Sequence, residues 1–567
     1  MLEQKSSGSE VISRRQFLQS SAGCIAASSL LAPTLGGATA RGRLTPQSDP
    51  LYFGAGTPDY PIVDTKYGKV RGITISGVSI FKGLHYGAST GGDNRFLPPK
   101  PPMNWDGVQD AFCVGSPCPQ IIQEFPFYVD PSRPSEDCLV LNIWSPKPQN
   151  GSGALPVMLW IHGGGFANGS GGLSAYDGFN LAKSGNVLVV TVNHRLNIFG
   201  YTYLGSQDER FVSSGNCGQL DLVAALQWVQ LNIEFFGGDP ENVTIFGQSG
   251  GGAKVSTLIA MPSAKGLFKK AIVQSGSFLH AADAAHARDV TDRIFAYFKL
   301  KPTEIAALQR VSQRDLLSVY QELTKDGFSS LMKFAPVVDG HSLTQQPWTP
   351  AAPDMARSIS MLVGTTEEEA AAFLGERLRQ PIASDAELLT LLQQYKVLSD
   401  LPVDRYPRLL EQYRKELPSA SRTELLVRIS SDTGMWRNAL IQAERKLSVG
   451  GPPLYMYNTT WKSPLWGGRW ASHGVDLGFV FGIPDAPGWL SADDSAQVRA
   501  EDDPHNDRYR VTAAMVASWA AFAHSGDPST ATLRWPAYDR EHRATMVFDH
   551  QIRIVNDPSA ALRKLVV

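Results

Sequence analysis

Short, almost unbroken apolar runs alternate along this chain with longer stretches in which apolar residues recur every three or four positions. Leu155-Pro156-Val157-Met158-Leu159-Trp160-Ile161 has no charged or hydrogen-bonding side chain except the indole, the pattern of a strand covered on both faces. Asn186 to Asn193, Val243 to Phe246 and Met361 to Gly364 share its β-branched and aliphatic character and predict further buried strands. Leu139 to Trp144 predicts another, and Met546 to Asp549 looks like a closing strand. Leu220 to Phe236 instead places Leu222, Ala225, Leu226, Val229 and Ile233 at helical spacing, and Tyr509 to Ser525 predicts an amphipathic helix with Trp519 and Phe522. Strands that alternate with helices argue a mostly parallel sheet wrapped by helices. The chain begins differently. From Ile62 to Ile80, apolar residues (Val63, Val70, Ile73, Ile75, Val78, Ile80) alternate with polar ones and glycines, predicting an antiparallel hairpin or meander at a sheet edge. Arg95-Phe96-Leu97-Pro98-Pro99 and Trp105 read as a proline-rich surface run.

Two regions break the alternation. Residues 281–332 and 383–447 are helical and charged, as in Glu387 to Leu392 and in Trp436, Leu440 and Ala443 on one helical face. They read either as covers that shape a binding pocket or as plain helical packing. With 567 residues, 43% apolar and 19% charged, the chain is long enough for a large core, and residues 41–567 are expected to form one catalytic domain with these insertions. A net charge of -2 with both signs interspersed offers no electrostatic case for nucleic acid or an anionic membrane surface.

The first forty residues read as a targeting segment. Ser13-Arg14-Arg15-Gln16-Phe17-Leu18 is a twin-arginine pattern, a small-residue apolar stretch runs from Ser20 to Leu35, and Ala38-Thr39-Ala40 offers a cleavage site. Residues 1–40 are therefore expected to be a signal peptide, with a periplasmic or secreted bacterial destination. The apolar stretch is too short and interrupted to predict a membrane span. Cys24 falls inside this segment, leaving Cys113, Cys118, Cys138 and Cys217. Cys118 and Cys138 would close a modest loop, and a bridge there would contribute roughly 3 kcal/mol, with two buried free thiols as the alternative. No cysteine or histidine falls at zinc-ligand spacing, and no metal or organic cofactor is expected.

The chemistry gathers at two glycine-rich turns. Directly after the Val243 to Phe246 strand comes Gly247-Gln248-Ser249-Gly250-Gly251, a Gly-x-Ser-x-Gly elbow in which a strand turns sharply into a helix and exposes the serine hydroxyl. Directly after the Leu155 to Ile161 strand comes His162-Gly163-Gly164-Gly165-Phe166, whose glycines leave backbone N–H groups unscreened. This is the oxyanion loop that accompanies the elbow in α/β-hydrolases.

Several ordered motifs then share one likeness. Glu136 to Trp144, His162 to Phe166, Asn193-His194-Arg195-Leu196, and Phe236-Gly237-Gly238-Asp239-Pro240 through Ser249 resemble the type-B carboxylesterase family, which includes cholinesterases and fungal lipases. The resemblance runs from about Pro61 to about Asp549 and implies an α/β-hydrolase fold. It also implies a Cys118–Cys138 disulfide and three oxyanion amide donors on Gly164, Gly165 and Gly250. The remaining catalytic members must follow Ser249 in the order acid, then histidine. Glu367, Glu368 and Glu369 cannot be ranked by chemistry alone; the family pattern points to Glu369, and the other two read as a solvated helix start. Ala471-Ser472-His473-Gly474-Val475-Asp476 resembles the family's histidine loop and points to His473. Trp461, Trp466 and Trp470 crowd its approach, suggesting a pocket for an apolar or aromatic group, although at least one suits core packing.

Cholinesterase-like specificity is not expected, because no tryptophan lies between Cys118 and Cys138. Gln248 and Gly250 stand where the family usually has glutamate and alanine. The expected function is an exported carboxylic ester hydrolase that uses Ser249, His473 and Glu369 on a small-molecule ester. A lipase, an amide or carbamate hydrolase with the same residues, and a non-catalytic binding module are the alternatives.

Overall fold

The structure, a computed structural model, describes residues 59–121, 132–147, 153–326, 330, 332–395, 399, 401–463, 470–485, 503–558 and 560–566. The expected signal peptide and Trp466 lie outside these residues. The strands of the main sheet, in chain order, are β1 (Ile73–Ile75), β2 (Val78–His85), β3 (Val140–Pro146), β4 (Leu155–Ile161), β5 (Leu188–Val192) and β6 (Gly238–Gln248). They continue as β7 (Lys270–Gln274), β8 (Ser360–Thr366), β9 (Leu454–Thr459), β10 (Ala544–Phe548) and β11 (Arg553–Asn556). Across the sheet the order is β1-β2-β3-β5-β4-β6-β7-β8-β9-β10-β11. From β5 to β10 every neighbouring pair is parallel, and antiparallel strands close both edges.

Every residue of β4, β5 and β7 is buried, which is why their sequences carry no polar alternation. Successive side chains still serve opposite layers. Leu159, Val190, Ile245 and Val273 pack in one core with Leu226 and Val229 of helix α1 (Cys217–Asn232). Met158, Trp160, Val189, Phe246 and Ile272 pack in the other with Trp519 and Phe522 of helix α3 (Asp507–Ser525). Between these two in sequence lies helix α2 (Gly250–Leu258), all of whose residues are buried.

The edge pattern splits where the sequence suggests one meander. Ile73 to His85 forms the antiparallel edge of the main sheet. Ile62–Asp64 and Lys69–Arg71 instead pair with each other and with Val108–Asp110 in a separate small sheet. The expected surface run is also corrected at its start. Arg95 and Phe96 are buried, and the Arg95 fork donates to Glu136 at 2.7 and 2.5 Å and to the carbonyls of Gln309 and Val311 at 2.7 and 2.6 Å. A planar guanidinium that satisfies a buried carboxylate and two carbonyls at once has reason to leave the surface.

Both inserted regions are helical. The first carries helices Ala284–Tyr297, Ile305–Gln309 and Gln313–Leu323. The second carries Asp385–Gln394, Tyr406–Glu416, Arg422–Ser431 and Arg437–Val449, and builds a core of its own from residues such as Leu388, Leu409, Tyr413 and Leu425.

The expected Cys118–Cys138 disulfide is not formed. Both residues are free, buried thiols, as is Cys217, while Cys113 is free and exposed. The Cys118 sulfur accepts the Leu196 amide at 3.3 Å, and its hydrogen bond to Cys138, together with burial, pushes the Cys138 thiol well above its ordinary range. The Cys118 thiol also reaches the Pro119 carbonyl at 3.6 Å.

A second buried ion pair ties the segment after β5 to α1. Arg195, following β5, donates to Asp221 of α1 through Nε at 2.8 Å and Nη2 at 2.6 Å, and its backbone N–H adds a bond at 2.9 Å. Removing one member strands the other charge in the core. Arg195→Ala is therefore expected to lower stability by about 3–5 kcal/mol, measured by chemical denaturation.

Candidate active site

The elbow follows from backbone sterics. At the end of β6, Ser249 takes φ 58° and ψ -126°, a conformation that L-residues rarely adopt. It persists because both ends are tied. The Ser249 N–H donates to the Gln274 carbonyl at 2.8 Å, and the Ser249 carbonyl accepts from Ala253 N at 3.0 Å, opening α2. The flanking glycines make room. A Cβ on Gly251 would lie 2.0 Å from the Ile161 carbonyl oxygen, and one on Gly247 would lie 2.6 Å from the Gly251 backbone.

The loop after β4 folds back onto this turn. Gly164 and Gly165 take φ of 86° and 61°, and the Gly164 carbonyl accepts the Ala167 and Asn168 amides, both at 3.1 Å. The reversal brings Gly165 against Gly250, where an added Cβ would lie 2.2 Å from the Gly165 oxygen. A Cβ on Gly163 would lie 3.4 Å from that of Ser249. The three expected donor glycines and the serine thus share one junction.

The acid arrives from the turn after β8. Glu369 is fully buried; its Oε1 accepts the Thr366 amide at 2.9 Å, and its Oε2 receives Nδ1 of His473 in a short contact. Glu367 and Glu368 are not a solvated helix start. Glu368 is buried and holds Lys462 Nζ and the Ala471 amide, both at 2.8 Å, while Glu367 pairs with Arg428 of the second insertion. Three adjacent carboxylates are therefore separated by partner: the histidine, the histidine's own loop and the insertion.

His473 lies with its ring 4.9 Å from that of Phe373. Its Nε2 meets the Gln248 side-chain amide at 3.1 Å, not the Ser249 hydroxyl. The amide donating to Nε2 leaves the ring proton on Nδ1, facing Glu369. Gln248 is fully buried and its Oε1 has no partner. Behind the acid, Asp476 accepts Tyr457 Oη at 2.8 Å and Gln274 Nε2 at 3.1 Å, yet burial raises its pKa to about 6. Trp461 and Trp470 are buried, one edge-on to Phe479 and the other in the core of the second insertion, so both are packing residues.

Two neighbours were not visible as site residues in the sequence. Gln248 was noted only for replacing a glutamate. Lys254 was not singled out, although it is the lone charged residue between Gly250 and Met261. Among the described residues, no group of three His, Cys, Asp or Glu side chains is arranged to hold a metal ion.

Comparison with known proteins agrees with this fold. The model of the carboxylesterase family matches residues 59–562. The para-nitrobenzyl esterase of Bacillus subtilis is 37% identical over 89% of this chain and 98% of that enzyme. Carboxylesterase 1E of Mus musculus is 33% identical over 86% and 90%. Among solved structures, a PNB esterase superposes with a TM-score of 0.77 at 34% identity, covering 89% of this chain and 99% of its own. The carboxylesterase EST55 of Geobacillus stearothermophilus gives 0.75 at 34%, covering 89% and 100%. The chain belongs to the carboxylesterase family, with the α/β-hydrolase fold. It is a carboxylic ester hydrolase, and its substrates are small-molecule esters.

Gly250 sits where alanine is usual in the resembling family, but here the space is already filled. Gly250→Ala is expected to displace the Gly165 turn and lower kcat about tenfold or more, with melting temperature checking that the fold survives.

Proposed function

We propose that this esterase works through Ser249, His473 and Glu369 by way of an acyl-enzyme. The observation that carries the reading is the buried carboxylate of Glu369 on Nδ1 of His473, whose opposite nitrogen reaches the residue adjoining Ser249. Ser249 Oγ attacks the ester carbon while His473 Nε2 takes its proton; the same proton then leaves with the alcohol as the carbon–oxygen bond breaks. A water, deprotonated in turn by His473, cleaves the acyl-enzyme and restores the serine. Glu369 remains ionised, holding the ring's tautomer and stabilising its cation.

The ring must move from the Gln248 amide to the Ser249 hydroxyl. These groups belong to consecutive residues, and catalytic hydrogen bonds commonly tighten only with substrate in place. The Gly164, Gly165 and Gly250 amides are the donors for the oxyanion, supported by their common junction beside Ser249.

Half-buried rings support an apolar or aromatic ester. Phe278 packs 5.4 Å from Phe166 of the glycine loop, and Phe373 borders His473. Export to the periplasm or beyond is supported by the twin-arginine pattern at residues 13–18 and the small-residue stretch after it.

Ser249→Ala is expected to abolish hydrolysis of a para-nitrophenyl ester and labelling by a fluorophosphonate, with the circular dichroism spectrum unchanged; retained turnover would overturn the assignment. Glu369→Gln keeps the shape but loses the charge, and kcat is expected to fall by about a thousandfold or more.

A further inference from the structure

Behind the glycine loop lies a cation without a counter-ion. Lys254, on α2, is fully buried, and its Nζ donates to the Gly165 carbonyl at 2.6 Å and the His162 carbonyl at 3.3 Å. It also sits 5.5 Å from the centre of the Phe166 ring. No carboxylate pairs with it among the described residues. These two carbonyls bracket the segment that carries the Gly164 and Gly165 amides. A buried, unpaired ammonium is costly in any fold, so its position directly behind the proposed oxyanion donors calls for a reason.

The neighbouring groups do not neutralise it. His162 and His194 stack with ring centroids 4.5 Å apart. Burial first and the Lys254 charge second push His162 down to about 3 and His194 well below its ordinary value, so both rings are neutral. Asp221, on the adjoining helix, is engaged by Arg195. Asp239, Glu241 and Lys270 lie at the far ends of β6 and β7, away from the elbow. Glu369 and Asp476 are engaged on the histidine side.

We propose that Lys254 is a positioning residue of the oxyanion loop: its ammonium clamps the Gly165 and His162 carbonyls, and its missing counter-charge is the oxyanion that forms during ester cleavage. The inference rests on the Ser249 mechanism above. A fixed charge in a buried site, held on the carbonyls that flank the donor amides, favours, over the bound ester, a transition state in which negative charge develops. Burial lowers the Lys254 pKa to about 7. The charge is thus present below about pH 7 and is lost as pH rises through it.

The test compares the full chain with Lys254→Met and Lys254→Arg. The readouts are kcat and KM for a para-nitrophenyl ester across pH 5.5–9.5, inhibition by a trifluoromethyl ketone that forms a tetrahedral adduct, and melting temperature. In Lys254→Met, kcat at pH 6 is expected to fall about ten- to a hundredfold. KM should change less than about threefold, and ketone affinity should fall in step with kcat. The wild-type decline in kcat above about pH 7 should vanish in Lys254→Met and move out of range in Lys254→Arg. Melting temperature should change little in Lys254→Met, because the loss of an unpaired buried charge offsets the loss of the donor to the two carbonyls. If Lys254→Arg does not fold, Lys254→Met and its pH profile decide alone. Unchanged kcat and ketone affinity in Lys254→Met would overturn the proposal, as would a loss that falls equally on KM and melting temperature. Turnover retained by Ser249→Ala would sink the mechanism itself, whereas full activity in Lys254→Met beside an inactive Ser249→Ala would sink only the role of Lys254.

Discussion

Everything in the site is placed by one backbone strain, the positive φ of Ser249 at the junction of β6 and α2. A residue held there must be over-determined by its surroundings. The surroundings are unusually close. The Ile161 carbonyl stands where a Gly251 side chain would be, and Gly165 stands where a Gly250 side chain would be. The strain that presents the serine and the approach of the glycine loop are consequently one packing event. β4 delivers both the carbonyl that crowds Gly251 and the loop that meets Gly250, so the parallel pairing of β4 with β6 sets the geometry of both halves.

Charge is handled differently in the body of the protein and at the site. In the body, the buried arginines are matched, Arg195 with Asp221, Arg95 with Glu136, and Arg508 with Asp503, while buried Lys446 and Lys270 donate to the Gly450 carbonyl and the Asn242 side chain. Around the elbow, the matching is incomplete. Asp476 is buried beside Glu369 and shifted upward, Gln248 keeps an unpartnered oxygen, and Lys254 has carbonyls alone. Stability favours pairing such groups, and sites that must respond to a transient charge commonly forgo it.

The fold was legible where an apolar run is continuous, as in β4 and β5, whose residues are buried throughout. The equally buried β7 and β9 were not anticipated, because Lys270 and Gln274 in one and Asn458 and Thr459 in the other interrupt the apolar run. The two glycine turns were legible because only glycine tolerates such close backbone approach. Partner choice was not. Glu367, Glu368 and Glu369 are chemically alike, and what separates them is that Arg428, Lys462 and His473 arrive from distant parts of the chain. Arg95 looked exposed for the same reason, since Glu136 and the Gln309 and Val311 carbonyls lie far away in sequence. The cysteine pair shows the reverse. Its proximity was anticipated, but its bonding state is a matter of redox chemistry that spacing does not encode.

The second insertion has a foothold at the acid turn. Arg428 holds Glu367, and Ser431 accepts the Ala370 amide at 3.0 Å, so one helix grips both sides of Glu369. Helices Asp385–Gln394 and Tyr406–Glu416 bury a core of their own, while Arg437–Val449 packs into the core of the main sheet. Sequence drift in this region therefore faces two regimes. The outer faces of the first two helices are free to be rewritten, and with them the outline of whatever ligands they meet, while Arg428 and Ser431 act as a hinge pin whose loss would be felt at the histidine.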